Sequence, residues 1–215
     1  MLRSPEGLAK ALVVLLAAVA VADLLAVAAG QNMRAFLDGG SGAVAGKAAI
    51  AEADRVDLLY LGAGLLQILT MLAAVVVFII WFHRVRMNAE LFDASAQPMA
   101  AGWAIGAWFV PVANLVLPRR IAGGIWAASS PTGPDGVRRA VPTTVMNAWW
   151  GMWVGSLLFA RYASGVDWRA EEVEEIVHST GLVMVADALD VVAAVLAILF
   201  VRKLTRMQGE RAALG

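Results

Sequence analysis

Four long apolar runs constrain this chain more than any other feature. They cover residues 8–29, 58–82, 143–160 and 181–201. A helix needs about 20 predominantly apolar residues to cross the hydrocarbon core of a bilayer, and each run is close to that length. Composition agrees: 60% of the 215 residues are hydrophobic, 16% are charged, and mean hydropathy is +0.73. Soluble domains carry about 25% charged residues. The first run follows Arg3 and Lys10 and resembles a signal peptide, but signal cores are only about 7–15 residues long, so a retained signal anchor is expected. The predicted fold is all-α: a single membrane domain of four transmembrane helices over 1–215.

A fifth apolar stretch, 99–117, contains Pro111 and ends at Pro118, Arg119 and Arg120. Proline removes a backbone donor and breaks a helix. Broken backbone at membrane depth survives only where protein or a cavity surrounds it. A re-entrant or interfacial hairpin over about 99–128 is therefore predicted, with its break at Pro111–Pro118 and a short helix through Trp126. Four spans with both termini inside place twelve Lys and Arg on the inner side. Arg34, Lys47, Arg55, Arg161 and Arg169 are left outside. The positive-inside rule favours that arrangement. A five-span alternative with the N-terminus outside gives eleven against six, but it needs a full span through two prolines. The expected location is a bacterial plasma membrane with cytoplasmic termini.

Between the runs, the outer segments are 30–57, with a Gly-rich turn from Asp38, and 161–180, read as a helix capped by Asp167 with glutamates in its first turns. The segment 129–140, rich in Pro and Gly, reads as an inner linker.

The middle of the chain carries a recognisable set of motifs. Trp81-Phe-His-Arg84-Val-Arg-Met-Asn88 precedes Trp108-Phe-Val-Pro111-Val-Ala-Asn114, which is followed by Pro118, Trp126 and Trp149-Trp150-Gly-Met-Trp153. Together these resemble the actinobacterial membrane family of domain of unknown function 4328, from about Trp81 to Trp153 and more loosely to Gln208. The resemblance implies a small polytopic bacterial membrane protein. It brings no activity, substrate, cofactor or catalytic residue. The acidic segment 161–180 is expected to lie outside the family's part.

Ionisable residues inside spans are expensive and mark function by default. Asp23, Asp187 and Asp190 are the three acidic ones here. Counting about 1.5 Å per residue, Asp23 and Asp187 both lie roughly 9 Å below the outer boundary. Asp190 shares a face with Asp187 one turn away. Gln67 and Thr70 reach similar depth, and Arg161 is placed to reach down towards them. Such carboxylates share a proton, pair with Arg161 or hold a cation. An outward-facing polar pocket is one reading; helix-to-helix hydrogen bonding is the other.

Trp81, Trp103 and Trp168 fit interfacial belts. Trp149, Trp150 and Trp153 lie in the third span and read either as core packing against the hairpin or as an aromatic wall for a flat or lipidic ligand. Gly151 and Gly155 form a GxxxG, which serves close packing within the chain or a homodimer. Glu175-Ile-Val-His178 has a di-iron-like spacing, but the bundles that use it need a second such pair, so a solvated acidic face is expected. With Cys absent, disulfide scaffolds, zinc ribbons and cysteine nucleophiles are excluded. The basic inner surface follows from topology or binds anionic headgroups. There is no folded basic domain for nucleic acid, and no phosphate loop, nucleophile elbow or dinucleotide fingerprint. The sequence thus favours a non-enzymatic accessory or regulatory membrane subunit acting through protein partners. A binding or transport protein using Asp23, Asp187 and Asp190 is the second reading, and a lipid-active membrane enzyme the third.

Overall fold

The computed structural model describes residues 2–38, 47–131, 133 and 139–213. The Gly-rich turn after Asp38 and most of the Pro/Gly linker fall outside the described residues. The elements are α1 (Glu6–Asp38), α2 (Lys47–Phe92), α3 (Trp103–Gly106), α4 (Leu117–Ala128), α5 (Thr144–Asp167) and α6 (Val173–Ala213). Short 3-10 turns cover Ala94–Ala96 and Ala113–Leu115. Among the described residues there is no strand.

Three helices, α1, α2 and α6, are long and apolar enough to cross a membrane. The expected third span does form a helix, α5, but it does not join that set. Its tryptophans, glycines and Asn147 dilute its mean hydropathy. All four run past the apolar stretches that mark them. The 46 residues of α2 extend about 69 Å. Of its most apolar window only 17% is buried inside the protein. Leu58, Leu61, Leu65, Ile68, Leu72 and Val76 face outwards. An apolar surface of that extent is a liability in water and is what a helix presents to lipid.

The chain divides into two compact units. Unit 1 comprises Met1–Leu16, Ala73–Gly151 and Leu196–Gly215, and unit 2 comprises Ala17–Leu72 and Met152–Val195. Thus α1, α2, α5 and α6 each give one stretch to each unit.

Unit 1 is built on aromatic packing. Phe200 is fully buried and stacks on Trp149, with ring centroids 4.4 Å apart and planes 5° from parallel. Trp81 meets Phe200 edge-on at 5.8 Å. Phe78 and Phe82 both meet Trp108 edge-on, at 5.2 and 5.7 Å. Such pairs contribute about 0.5–1.5 kcal/mol each beyond the area they bury. Trp81 is therefore core, not belt: it has no exposed surface, and its indole N–H donates to Thr205 Oγ1 at 3.1 Å. Trp168, 91% exposed, remains compatible with an interface.

The break at Pro111–Pro118 is present. Helix α3 lasts one turn, and α4 begins with Pro118 in its first turn, where a missing N–H is harmless. Between them Val112 holds φ = 64°. A β-branched residue in the left-handed region is strained, and this one sits in an exposed apolar tip with Phe109 and Val110. Helix α4 packs closely on the preceding turn. A Cβ on Gly124 would lie 2.7 Å from the Ala96 carbonyl oxygen and from Pro98 Cδ.

Polar groups in the unit 1 core are linked in a network. Asn88 donates to the Arg3 carbonyl at 2.9 Å and to Gln208 Oε1 at 3.1 Å. Gln208 donates in turn to the Val85 carbonyl and to Ser129 Oγ. Arg86, also buried, donates to the Met99 carbonyl at 2.7 Å and pairs with Glu90 at 3.0 Å.

Unit 2 has another texture. Its buried apolar residues are mostly alanines, among them Ala22, Ala26, Ala29, Ala163, Ala193 and Ala194. Small side chains allow close helix approach. A Cβ on Gly30 would meet Met184 Cγ at 2.8 Å. Gly151 and Gly155 behave differently: a Cβ on either meets nothing within 4 Å among the described residues. Among the described residues, then, neither glycine of the GxxxG meets a close neighbour.

Candidate functional site

Asp23, Asp187 and Asp190 lie in unit 2 on two of the long apolar helices, α1 and α6, and α2 supplies Gln67. The Gln67 side-chain amide donates to Asp23 Oδ1 and to Asp187 Oδ1, each at 2.9 Å. One amide thus ties α1, α2 and α6 together, as the depth arithmetic anticipates. The reason is steric as well as polar. Alanines surrounding these positions keep the helices near enough for short side chains to meet.

Asp190 stands one turn from Asp187, with Ser156 of α5 beside it. The Ser156 hydroxyl donates to the Trp153 carbonyl oxygen at 3.1 Å. Ser156 was not among the expected site residues. Its signal was an isolated hydroxyl in an apolar helix, which by itself points only to the helix's own backbone. Thr70, expected nearby, instead donates to backbone carbonyls of its own helix, at Leu66 and Gln67.

The pairing is incomplete. Asp23 is 3% exposed, and its Oδ2 has no hydrogen-bond partner among the described residues. No Lys or Arg forms an ion pair with Asp23, Asp187 or Asp190 among the described residues. Arg161, expected to reach the aspartates, is exposed. A cavity of about 90 Å³ adjoins the amide–carboxylate link. Gln67, Asp187 and Tyr60 supply its polar lining, with Ala26, Gly64 and Met184 among its apolar walls. At about 30 Å³ per liquid water, it has room for three waters or one small solute.

No group of three or more His, Asp or Glu among the described residues is placed to hold a metal ion. Glu175 of the Glu175–His178 pair has a local role. Helix α6 starts at Val173, later than a cap at Asp167 implies. The Glu175 carboxylate reaches back to the Glu171 and Glu172 N–H groups at 3.0 and 3.4 Å, a capping interaction. Asp167 ends α5 and accepts the Ser179 hydroxyl at 2.7 Å.

The tryptophans of α5 separate. Trp149 and Trp150 belong to unit 1 and Trp153 to unit 2. Trp149 is buried against Phe200, and Trp150 meets Trp108 edge-on at 6.1 Å. Both contacts are core packing.

A family model described as Domain of unknown function (DUF4328) matches residues 46–206. No curated protein and no solved structure matches the chain. The matched stretch is longer than the Trp81–Trp153 motif block. It takes in the acidic 161–180 segment, which was expected to lie outside it. It includes Gln67, Ser156, Asp187 and Asp190, whereas Asp23 precedes it.

Proposed function

The chain belongs to the family described as Domain of unknown function (DUF4328), and within that family we propose that it is a non-enzymatic membrane protein binding a small cationic solute among Asp23, Gln67 and Asp187. The observation that carries this reading is the buried, unpartnered Asp23 Oδ2 beside a link in which two carboxylates lean on one neutral amide. Burying a carboxylate without a partner is costly, and an added positive group removes that cost. An alkylammonium ion suits the setting better than a metal ion. Its N–H groups reach acceptors that point in different directions, and its carbon body rests on Ala26, Gly64 and Met184. The expectation of an accessory subunit draws on no comparable observation, since a fully paired network is what it requires.

We take α5 as a fourth crossing. Its 24 residues extend about 36 Å, more than the hydrocarbon core. The hairpin then lies at the inner leaflet with its apolar tip in lipid and Arg119 and Arg120 at the headgroups. Both termini are cytoplasmic by the positive-inside count, and the carboxylate site is nearer the outer leaflet.

The test uses the full chain in lipid nanodiscs with radiolabelled methylammonium, and sodium as a competitor. Saturable binding of one methylammonium per chain is expected. Asp187→Asn is expected to weaken it by about 10-fold or more, the value of a charge-assisted hydrogen bond. Non-saturable uptake, or binding unchanged in Asp187→Asn, overturns the proposal. Displacement by sodium at equal concentration overturns the choice of an ammonium.

A further inference from the structure

Unit 1 carries a second feature that the carboxylate site does not use. A groove of about 1020 Å³ runs along the first turns of α1 and the last turns of α6. Its walls change character along its length. Val13, Val14, Val145 and Leu199 form an apolar part, and Lys10, Arg202, Lys203 and Arg206 line a cationic part. Val14 and Leu199 are exposed, so the apolar part is open to the surroundings.

The sequence explains the gradient. On α6 the last apolar run ends at Val201, and Arg202, Lys203 and Arg206 follow directly. On α1, Lys10 stands immediately before the apolar run's body. Both helices thus change from hydrocarbon-compatible to charged at the same end of unit 1. Two carboxylates, Glu6 and Glu210, also line the groove. Glu210 is engaged by Arg206 at 3.5 Å in an exposed i,i+4 pair of small energetic weight. Lys203 is held with its ammonium 5.4 Å above the buried Trp126 ring, which fixes its position without neutralising it. The lining therefore keeps a net positive charge.

We infer that this groove binds one anionic phospholipid of the leaflet that meets the two chain ends. Its phosphate sits among Lys10, Arg202 and Lys203, and one acyl chain lies along Val13, Val14 and Leu199. The occupant follows from joint complementarity. A free phosphate would use the cations and leave the apolar wall bare, and a zwitterionic lipid would use the wall and leave the cation excess uncompensated. Basic pockets at the ends of transmembrane helices select anionic headgroups, with about 1 kcal/mol per cation near the surface.

The experiment is native mass spectrometry of the full chain released from nanodiscs of equal phosphatidylglycerol and phosphatidylcholine. Retention of one phosphatidylglycerol in preference to phosphatidylcholine is expected. Lys10→Gln with Arg202→Gln, both at exposed positions, is expected to reduce that preference by roughly 10- to 30-fold. The wild-type preference is itself a test that requires no variant to fold. Equal retention of the two lipids, an unchanged preference in the double variant, or displacement by millimolar inorganic phosphate overturns the proposal.

Discussion

Unit 1 and unit 2 bury different kinds of polar group among different kinds of side chain. In unit 1 Asn88, Gln208 and Ser129 bond one another and the backbone, Arg86 bonds the Met99 carbonyl and Glu90, and large aromatic rings fill the space around them, while His83 Nδ1 and Gln97 Oε1 are buried without a partner among the described residues. In unit 2 the core is mostly alanine, and two carboxylates, Asp23 and Asp187, share one neutral donor, Gln67, with Asp23 Oδ2 left over among the described residues. An unpaired buried carboxylate costs more than an unpaired amide oxygen, so the leftover oxygen of unit 2 is the costlier one. On the proposed function, unit 1 packs the fold and unit 2 holds the binding site.

The comparison breaks first, and most heavily, at Phe200. Phe200→Ala removes a ring stacked on Trp149 and met edge-on by Trp81, and is expected to cost about 3–5 kcal/mol of stability. Thermal unfolding in detergent checks this. A loss below about 1 kcal/mol would deny the aromatic cluster its role. Next is Gly124→Ala, whose Cβ would meet the Ala96 carbonyl at 2.7 Å. Overpacking against backbone is expected to cost about 1–3 kcal/mol, read as a lower unfolding midpoint.

Smaller still is Gly155→Ala. With open space at its Cβ, the change is expected to be neutral or to raise stability by at most about 1 kcal/mol through helix propensity. Cross-linking of the Gly151→Leu/Gly155→Leu chain then sharpens the point. A dimer lost in that variant would show that a second copy covers the glycine face. The smallest loss of stability is expected at Asp23→Asn. Asn keeps an oxygen for Gln67 and removes a buried charge that nothing pairs among the described residues, so the unfolding midpoint is expected to hold or rise rather than fall. The same substitution is expected to abolish cation binding, a split that a purely structural aspartate would not produce.

Some of this was legible in the sequence because bilayer thickness is a ruler. Counting residues from span ends placed Asp23, Gln67 and Asp187 at one depth, and the amide does join them. The Pro111–Pro118 break was legible because proline chemistry is local. Partner choice was not. Trp81 looks interfacial by position, yet Thr205, over a hundred residues away, takes its N–H. The open face of Gly151 and Gly155 was equally hidden, because a spacing motif carries no information on which neighbour, if any, lies opposite. Arg161 failed as a partner for the aspartates because reach along one helix does not fix the direction of a side chain.

The central claim is that unit 2 holds a carboxylate site for a small cation while unit 1 packs the fold. The most direct test is the unfolding midpoint of the full chain during a methylammonium titration. A ligand that binds the native state stabilises it by about 2.7 kcal/mol at one hundred times its dissociation constant. The expected result is a saturating rise in wild type and in Phe200→Ala, with none in Asp23→Asn or Asp187→Asn. An equal rise in all four proteins, or no rise in wild type, would contradict the account.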